Sequence, residues 1–182
     1  MRAQSQAAAH RYDRSLSVAL AGNTPIAETV AAFEQLQAEG KIRRWGVSNF
    51  DLADMEELSG GQCSVNQVLY NLENRGIEFD LLPWSEKNKI PVMAYSPVGH
   101  GKGLLENATL KKIAKRHEAT PAQIALAWVL RRPNVIAIPK ATNEIHLRAN
   151  AQALELKLKK EDLTEIDHAF PPPKSKQPLA ML

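Results

Sequence analysis

Between Pro25 and Ala169, stretches with apolar residues at helical spacing alternate with short apolar runs. Ile26, Val30, Phe33 and Leu36 recur every three or four residues, with Thr24 as N-cap, Pro25 in the first turn and Glu28 completing a capping box. Gly40 is the expected helix stop. Ile42 to Val47 then reads as a buried strand that delivers Ser48 and Asn49 at its carboxyl end. Asp51 caps a helix from Leu52 to Leu58, closed by Gly60 and Gly61, and Ser64 to Tyr70 forms the next strand. A loop from Asn71 to Glu78 leads to a helix near Asp80 to Asn88, and Pro91 to Tyr95 forms the third strand. Further helices are expected over Thr109 to Arg116 and Pro121 to Arg131, the latter capped by Thr120. A fourth strand spans Asn134 to Ile138, and helices follow from Thr142 or Asn143 to Leu154 and from Glu161 to Ala169. Pro171, Pro172 and Pro173 end regular structure, leaving a loose tail over 174–182. Strands alternating with helices at this spacing indicate parallel β/α units whose strands are covered on both faces. Such units form either part of an eight-stranded barrel or a small open sheet.

Residues 1–22 break this rhythm. They show no period of 3.6 or 2, although Ser15 to Leu20 fits a short strand. The chain has 182 residues, 44% apolar and 24% charged, an ordinary balance for a folded domain. Its net charge of +3 is scattered among acids, which argues against a nucleic-acid partner. No run approaches the roughly 20 apolar residues of a membrane span, so no membrane partner is expected. A single cysteine, Cys63, gives no intramolecular disulfide and fits a cytoplasmic location. The histidines have no metal-ligand spacing, so no metal is expected.

Polar residues gather where the strands end. Ser48 and Asn49 follow the first strand and Gln67 lies in the second. Tyr95 and Ser96 close the third, and Lys140 and Thr142 follow the fourth. The carboxyl end of a parallel sheet is where ligands are held. Amides and hydroxyls suit a carboxamide, a tyrosine ring can stack on a flat ring, and a lysine at a helix start suits a phosphate. Together these point to a nicotinamide dinucleotide.

Six ordered motifs carry a resemblance: G-K-I-R-R-W-G-V-S-N-F, N-Q-V-L-Y-N, A-Y-S-P-V-G, P-A-Q-I-A-L-A-W-V-L, V-I-A-I-P-K-A-T and H-L-R-A-N. In order and spacing they are similar to the second half of aldo-keto reductases. The resemblance implies an α/β fold, a partial (β/α)8 TIM barrel comprising roughly strands 5 to 8 with their helices, over residues 23–173. It implies NADP(H) as cofactor, with Ser48, Asn49 and Gln67 at the nicotinamide carboxamide and Tyr95 stacked on the ring. Ser96, Val98 and Gly99 match the loop over the pyrophosphate. Lys140 and Thr142 match the 2′-phosphate positions and Asn150 the adenine position. His146 stands where many members carry an arginine, which leaves NAD as the alternative cofactor. Trp45 and Trp84 are expected in packing, and Tyr70 and Asn71 in shaping the strand end.

The resemblance assigns no catalytic residue to this chain. In the family a tyrosine acts as general acid, with a lysine, an aspartate and a histidine, on strands that precede Pro25. The expected histidine-bearing strand, of the form D-L-Y-L-L-H-W-R-G, is absent. Residues 11–22, R-Y-D-R-S-L-S-V-A-L-A-G, can be encoded by a string whose next reading frame gives A-M-I-D-L-Y-L-L-H-W-R-G. The expectation is therefore a 1–22 segment translated out of frame, followed by the cofactor-binding half of a reductase. A small aldehyde or ketone would be the partner of a full-length relative, and self-association through open barrel edges would be a consequence here.

Overall fold

The computed structural model describes residues 15–19, 25–58, 62–101 and 103–182. The N-cap assigned to Thr24, the Gly60-Gly61 stop and most of the 1–22 segment lie outside them. Five parallel strands form one sheet in the order β1 (Ser15–Ala19), β2 (Arg44–Ser48), β3 (Cys63–Leu69), β4 (Val92–Tyr95) and β5 (Val135–Ala137). Each strand pairs with the one before it in sequence. A doubly wound sheet reverses direction at a switch point, whereas a barrel adds each strand beside the last. This order therefore selects the partial barrel over the open sheet. The intervening helices are α1 (Ile26–Ala38), α2 (Leu52–Glu57), α3 (Leu81–Asn88), α4 (Ala108–Arg116), α5 (Pro121–Leu130), α6 (Glu144–Gln152) and α7 (Lys160–Ala169).

Local chemistry explains where elements begin and end. Pro25 is the N-cap of helix α1 rather than its first helical residue, and among the described residues Glu28 forms no capping box; the helix stops at Gly40, whose φ is +68°. The amides of Lys41 and Ile42 fold back onto the Leu36 carbonyl at 2.9 and 3.4 Å. That closure takes Lys41 and Ile42 out of the strand, so β2 begins at Arg44 and runs on to Ser48 rather than covering Ile42 to Val47. Asp51 caps α2 through the Asp54 amide at 3.0 Å. Thr120 and Gln123 form the box that starts α5. Asn107 caps α4, which begins at Ala108, because its Oδ1 accepts from the Thr109 and Leu110 amides.

The two faces of the sheet differ sharply. Trp45, Val47, Asn66, Val68, Val92, Ala94 and Val135 point to the helix side and are buried. They pack with Ile113, Ile124, Trp128 and Ile166 of the helix layer. Trp45 stacks on Phe33 with centroids 5.6 Å apart, and Trp84 packs against the same core. The opposite face carries the row Ser48, Gln67, Met93 and Ile136 in register. On it Ile136 is 46% exposed, and Ile138, beyond β5, is 38% exposed. Coverage of both faces, as the apolar strands suggested, is thus not met on the inner face.

A buried polar network ties the loop after β3 to two helices. Glu78 accepts from Tyr70 Oη at 2.6 Å, from Arg75 at 3.1 and 2.7 Å, and from Arg131 at 3.1 Å. Both guanidiniums also cover the Trp128 ring, at 4.9 and 3.8 Å. Arg75 reaches on to Asp167 of α7 at 2.7 Å. The last residues are not a loose tail. Leu179 packs on the core, and Lys176 pairs with Asp80 at 3.6 Å. Residues Lys176 to Ala180 share a small cavity with Leu69 and Arg75. An extended, proline-rich segment packs without periodicity, which is why its pattern carried no signal.

Candidate functional site

The parallel arrangement places all strand ends on one edge. At that edge Ser48 closes β2 and its Oγ donates to the Gln67 carbonyl at 3.1 Å. The Asn49 amide donates to the same carbonyl at 2.8 Å. Asn49 itself adopts a left-handed φ of +58°. Its Oδ1 is buried and has no hydrogen-bond partner among the described residues. A buried acceptor left without a donor is costly and is rare in native proteins, so it marks a place where a donor is expected. The Gln67 side chain lies on the inner face, with Nε2 at 3.3 Å from Met93 Sδ. Ser48, Asn49 and Gln67 are therefore joined directly.

Tyr95 ends β4 opposite Leu69 and is half-buried. Ser96 follows with a left-handed φ of +46°, and its carbonyl accepts the Gly99 amide at 3.0 Å. Gly99 has φ +83°, and a Cβ there would lie 2.9 Å from Leu104 Cβ, so only glycine fits both the backbone and the space. Val98 packs against the core beside this turn. The end of the S-P-V-G loop, at Gly99, thus packs closely on buried Leu104.

Lys140 and Thr142 lie between β5 and α6 and are exposed. Asn143 caps α6 by accepting from the Ile145 amide at 2.7 Å. Exposed His146 and half-buried Asn150 sit one turn apart on α6. Gln123 anchors this helix to α5, donating to the Ala149 carbonyl at 3.1 Å. Glu144, in the first turn of α6, is paired with Arg148 at 2.6 Å. Lys140, Thr142, His146 and Asn150 form a second group on the same edge. No hydrogen bond joins it to the Ser48 group among the described residues. One edge therefore offers an amide and hydroxyl cluster, an aromatic ring, a glycine-bearing turn and a lysine ahead of a capped helix.

Two further asparagines support this edge: Asn71, expected to shape the strand end, and Asn66, which had no assigned role. Asn66 is fully buried beneath Phe50, and Asn71 is 1% exposed beneath Ser96. An asparagine inside an otherwise apolar strand is the one feature that could have pointed to Asn66.

A profile of the aldo/keto reductase family matches residues 8–170, and the chain belongs to that family. The methylglyoxal reductase YeaE of Escherichia coli (strain K12) is 50% identical over 169 residues, which are 88% of this chain and 60% of that protein. The glyoxal reductase of Bacillus subtilis (strain 168) is 35% identical over 149 residues, covering 80% of this chain and 52% of that protein. Among solved structures, an aldo/keto reductase of Klebsiella pneumoniae in complex with NADP and acetate superposes with a TM-score of 0.89 at 45% identity. That match covers 93% of this chain and 62% of the other. The chain thus spans between half and two thirds of the length of these relatives.

Proposed function

We propose that the chain is the NADP(H)-binding portion of an oxidoreductase that interconverts a small aldehyde or ketone and its alcohol. The observation that carries this is the joined Ser48, Asn49 and Gln67 set with its buried, donorless Asn49 Oδ1. A nicotinamide carboxamide carries an amino group that is a donor for such an oxygen. Tyr95 offers a ring face for the nicotinamide. The turn from Ser96 through Val98 to Gly99 suits the pyrophosphate. Lys140, Thr142 and the start of α6 suit a 2′-phosphate, and Asn150 the adenine. With histidine at position 146, NAD is the alternative dinucleotide. When bound, the dinucleotide supplies the hydride; the chain's own residues hold and orient its rings and phosphates. Methylglyoxal, named in the YeaE relative, is the first substrate to test.

The same reading holds that the 182-residue chain binds but does not turn over. Tyr95, the one tyrosine among the proposed site residues, is assigned to the nicotinamide ring face, which leaves no group assigned to protonate the carbonyl oxygen, a contribution of about 100- to 10,000-fold. The reductase portion is read as residues 23–173, with β1 (Ser15–Ala19) adding a strand to its sheet. The experiment is a titration of the folded chain with NADPH, followed by tryptophan fluorescence, with an assay of methylglyoxal-dependent NADPH oxidation alongside. Saturable quenching with background oxidation is the expected result. A folded chain without quenching would overturn the cofactor reading, and turnover would overturn the inactive reading.

A second reading, a non-catalytic module that self-associates, is favoured by one observation. Ile136 and Ile138 are exposed on a sheet face whose outer strands, β1 and β5, have no further strand neighbour among the described residues. Open edges and bare apolar faces drive pairing. Sedimentation equilibrium is expected to return a dimer mass, and replacement of Ile136 by lysine should shift it to monomer. A wild-type monomer at high micromolar concentration would rule this out.

A further inference from the structure

Four non-glycine residues among the described ones have positive φ: Asn49, Lys89, Ser96 and Glu118. Lys89 caps the end of α3 and Glu118 follows the end of α4. Left-handed residues are ordinary at helix ends. Asn49 and Ser96 are different. Both sit at strand ends among the proposed dinucleotide contacts, on the two strands that flank β3. A left-handed non-glycine residue persists only where its surroundings enforce it, and such residues cluster at ligand sites.

The enforcing groups are visible, and both come from β3 and the loop that follows it. Asn66 is fully buried in a face otherwise lined by Val47 and Val92, its register partners. Its Nδ2 donates to the Phe50 carbonyl at 2.9 Å, and its Oδ1 lies 3.5 Å from the Phe50 amide. Phe50 is the residue directly after the left-handed Asn49. On the other side, Asn71 Nδ2 donates to the Ser96 carbonyl at 2.9 Å. Asn71 Oδ1 meanwhile accepts from the Glu73 and Asn74 amides at 2.9 Å each, which holds Asn71 itself in place.

We propose that Asn66 and Asn71 are positioning residues that clamp the turns at Asn49 and Ser96 from either side of β3. Neither touches the ligand. Each keeps one half of the binding edge in the shape that receives it. The proposal rests on the dinucleotide reading of the site. Its physical content is preorganisation: when only a fraction of molecules holds the receptive turn, apparent affinity falls by that fraction.

The test uses the full chain and two variants. Asn66→Leu is close in size and suits its apolar neighbours, yet it removes both bonds to Phe50. Asn71→Asp keeps the acceptor for Glu73 and Asn74 but removes the donor to Ser96. Ile113→Val, in the buried core of the helix layer and outside both clamps, controls for loss of packing. NADPH affinity is read by calorimetry and local order by amide hydrogen exchange. Each variant is expected to weaken binding about tenfold, the worth of one buried hydrogen bond, with the control unchanged. In Asn66→Leu the Asn49 amide, bonded to Gln67, should exchange faster. In Asn71→Asp the Gly99 amide, bonded to Ser96, should do so. The Val92 amide, bonded to the Asn134 carbonyl across the sheet, should stay protected in both.

Wild-type affinity and exchange in both variants would overturn the clamps. So would uniform acceleration that includes Val92, which would mark a merely structural role. If either variant fails to fold, the other decides. If the unmodified chain does not bind NADPH, the dinucleotide reading fails, and the exchange pattern alone then upholds or overturns the clamps.

Discussion

Glu78→Ala is expected to lower the stability of the chain by about 3–5 kcal/mol, the cost of removing one partner from a buried ion pair. The carboxylate is 7% exposed and serves Arg75, Arg131 and Tyr70 together. Burial opposes its ionisation. The hydrogen bonds from Arg75 and Tyr70, and the charges of Arg75 and Arg131, outweigh that and hold its pKa below the ordinary 4.5. Without Glu78 the two guanidiniums remain over the Trp128 ring with no anion between them, and the Tyr70 hydroxyl loses its acceptor. Burial raises the Tyr70 hydroxyl well above its ordinary value, so it stays protonated and cannot substitute as an anion. Urea denaturation measures the effect. A loss below about 1 kcal/mol, typical of exposed pairs, would show that water reaches the network. Glu78→Gln, which keeps the shape without the charge, should fall between the two.

The second large effect is loss of stability in acid, centred on Asp162. This side chain is fully buried at the start of α7. It accepts from the Lys159 amide at 2.8 Å and lies 2.7 Å from His117 Nε2, and Arg116 donates to its other oxygen. Burial alone would raise its pKa. The Lys159 amide, His117 and Arg116 outweigh burial and hold it below the ordinary 3.8. The sign follows from proton counting. Near and below pH 3.8 the unfolded chain binds a proton that the folded chain refuses, so stability rises with pH there. The contribution of Asp162 is complete above its unfolded-state pKa and is lost as pH falls through the folded value. Glu78 acts in the same direction from its own ordinary value of 4.5 downward. Stability is therefore expected to be flat from about pH 5 to 7 and to fall steeply below about pH 4.5. Asp162→Asn should cost about 2–4 kcal/mol at neutral pH and make the acid limb shallower. An unchanged acid limb in the variant would remove Asp162 from the account.

Both effects arise in contacts that no local pattern announces. Arg75 and Glu78 are three residues apart, but Arg131 joins them from α5 and Asp167 from α7. Asp162 meets Arg116 and His117 across the packing of α4 on α7. The same contrast runs through the candidate site. Ser48 and Asn49 stand out because two small polar residues end an apolar run, and Lys140 because it precedes a capped helix. Asn66 lies hidden in its strand, since its partner, Phe50, belongs to the turn after the neighbouring strand.

What the sequence determined alone is whatever a few consecutive residues decide. Capping side chains at Asp51, Thr120 and Asn143 set helix starts, Gly40 set a helix end, and apolar runs marked the strands within two residues. Parallel β/α units, and polar groups at the strand ends, follow from those. The tertiary structure decided the rest. Strand order, which separates a barrel segment from a doubly wound sheet, depends on which strands pair. Exposure of the inner face depends on what stands opposite it. Packing of the last residues against Leu69 and Arg75, and the left-handed turns held by Asn66 and Asn71, depend on partners far away in the chain. The physical reason is range. Capping and periodicity act over one or two turns of backbone, whereas pairing, burial and clamping join residues that only the folded chain brings within a few ångströms.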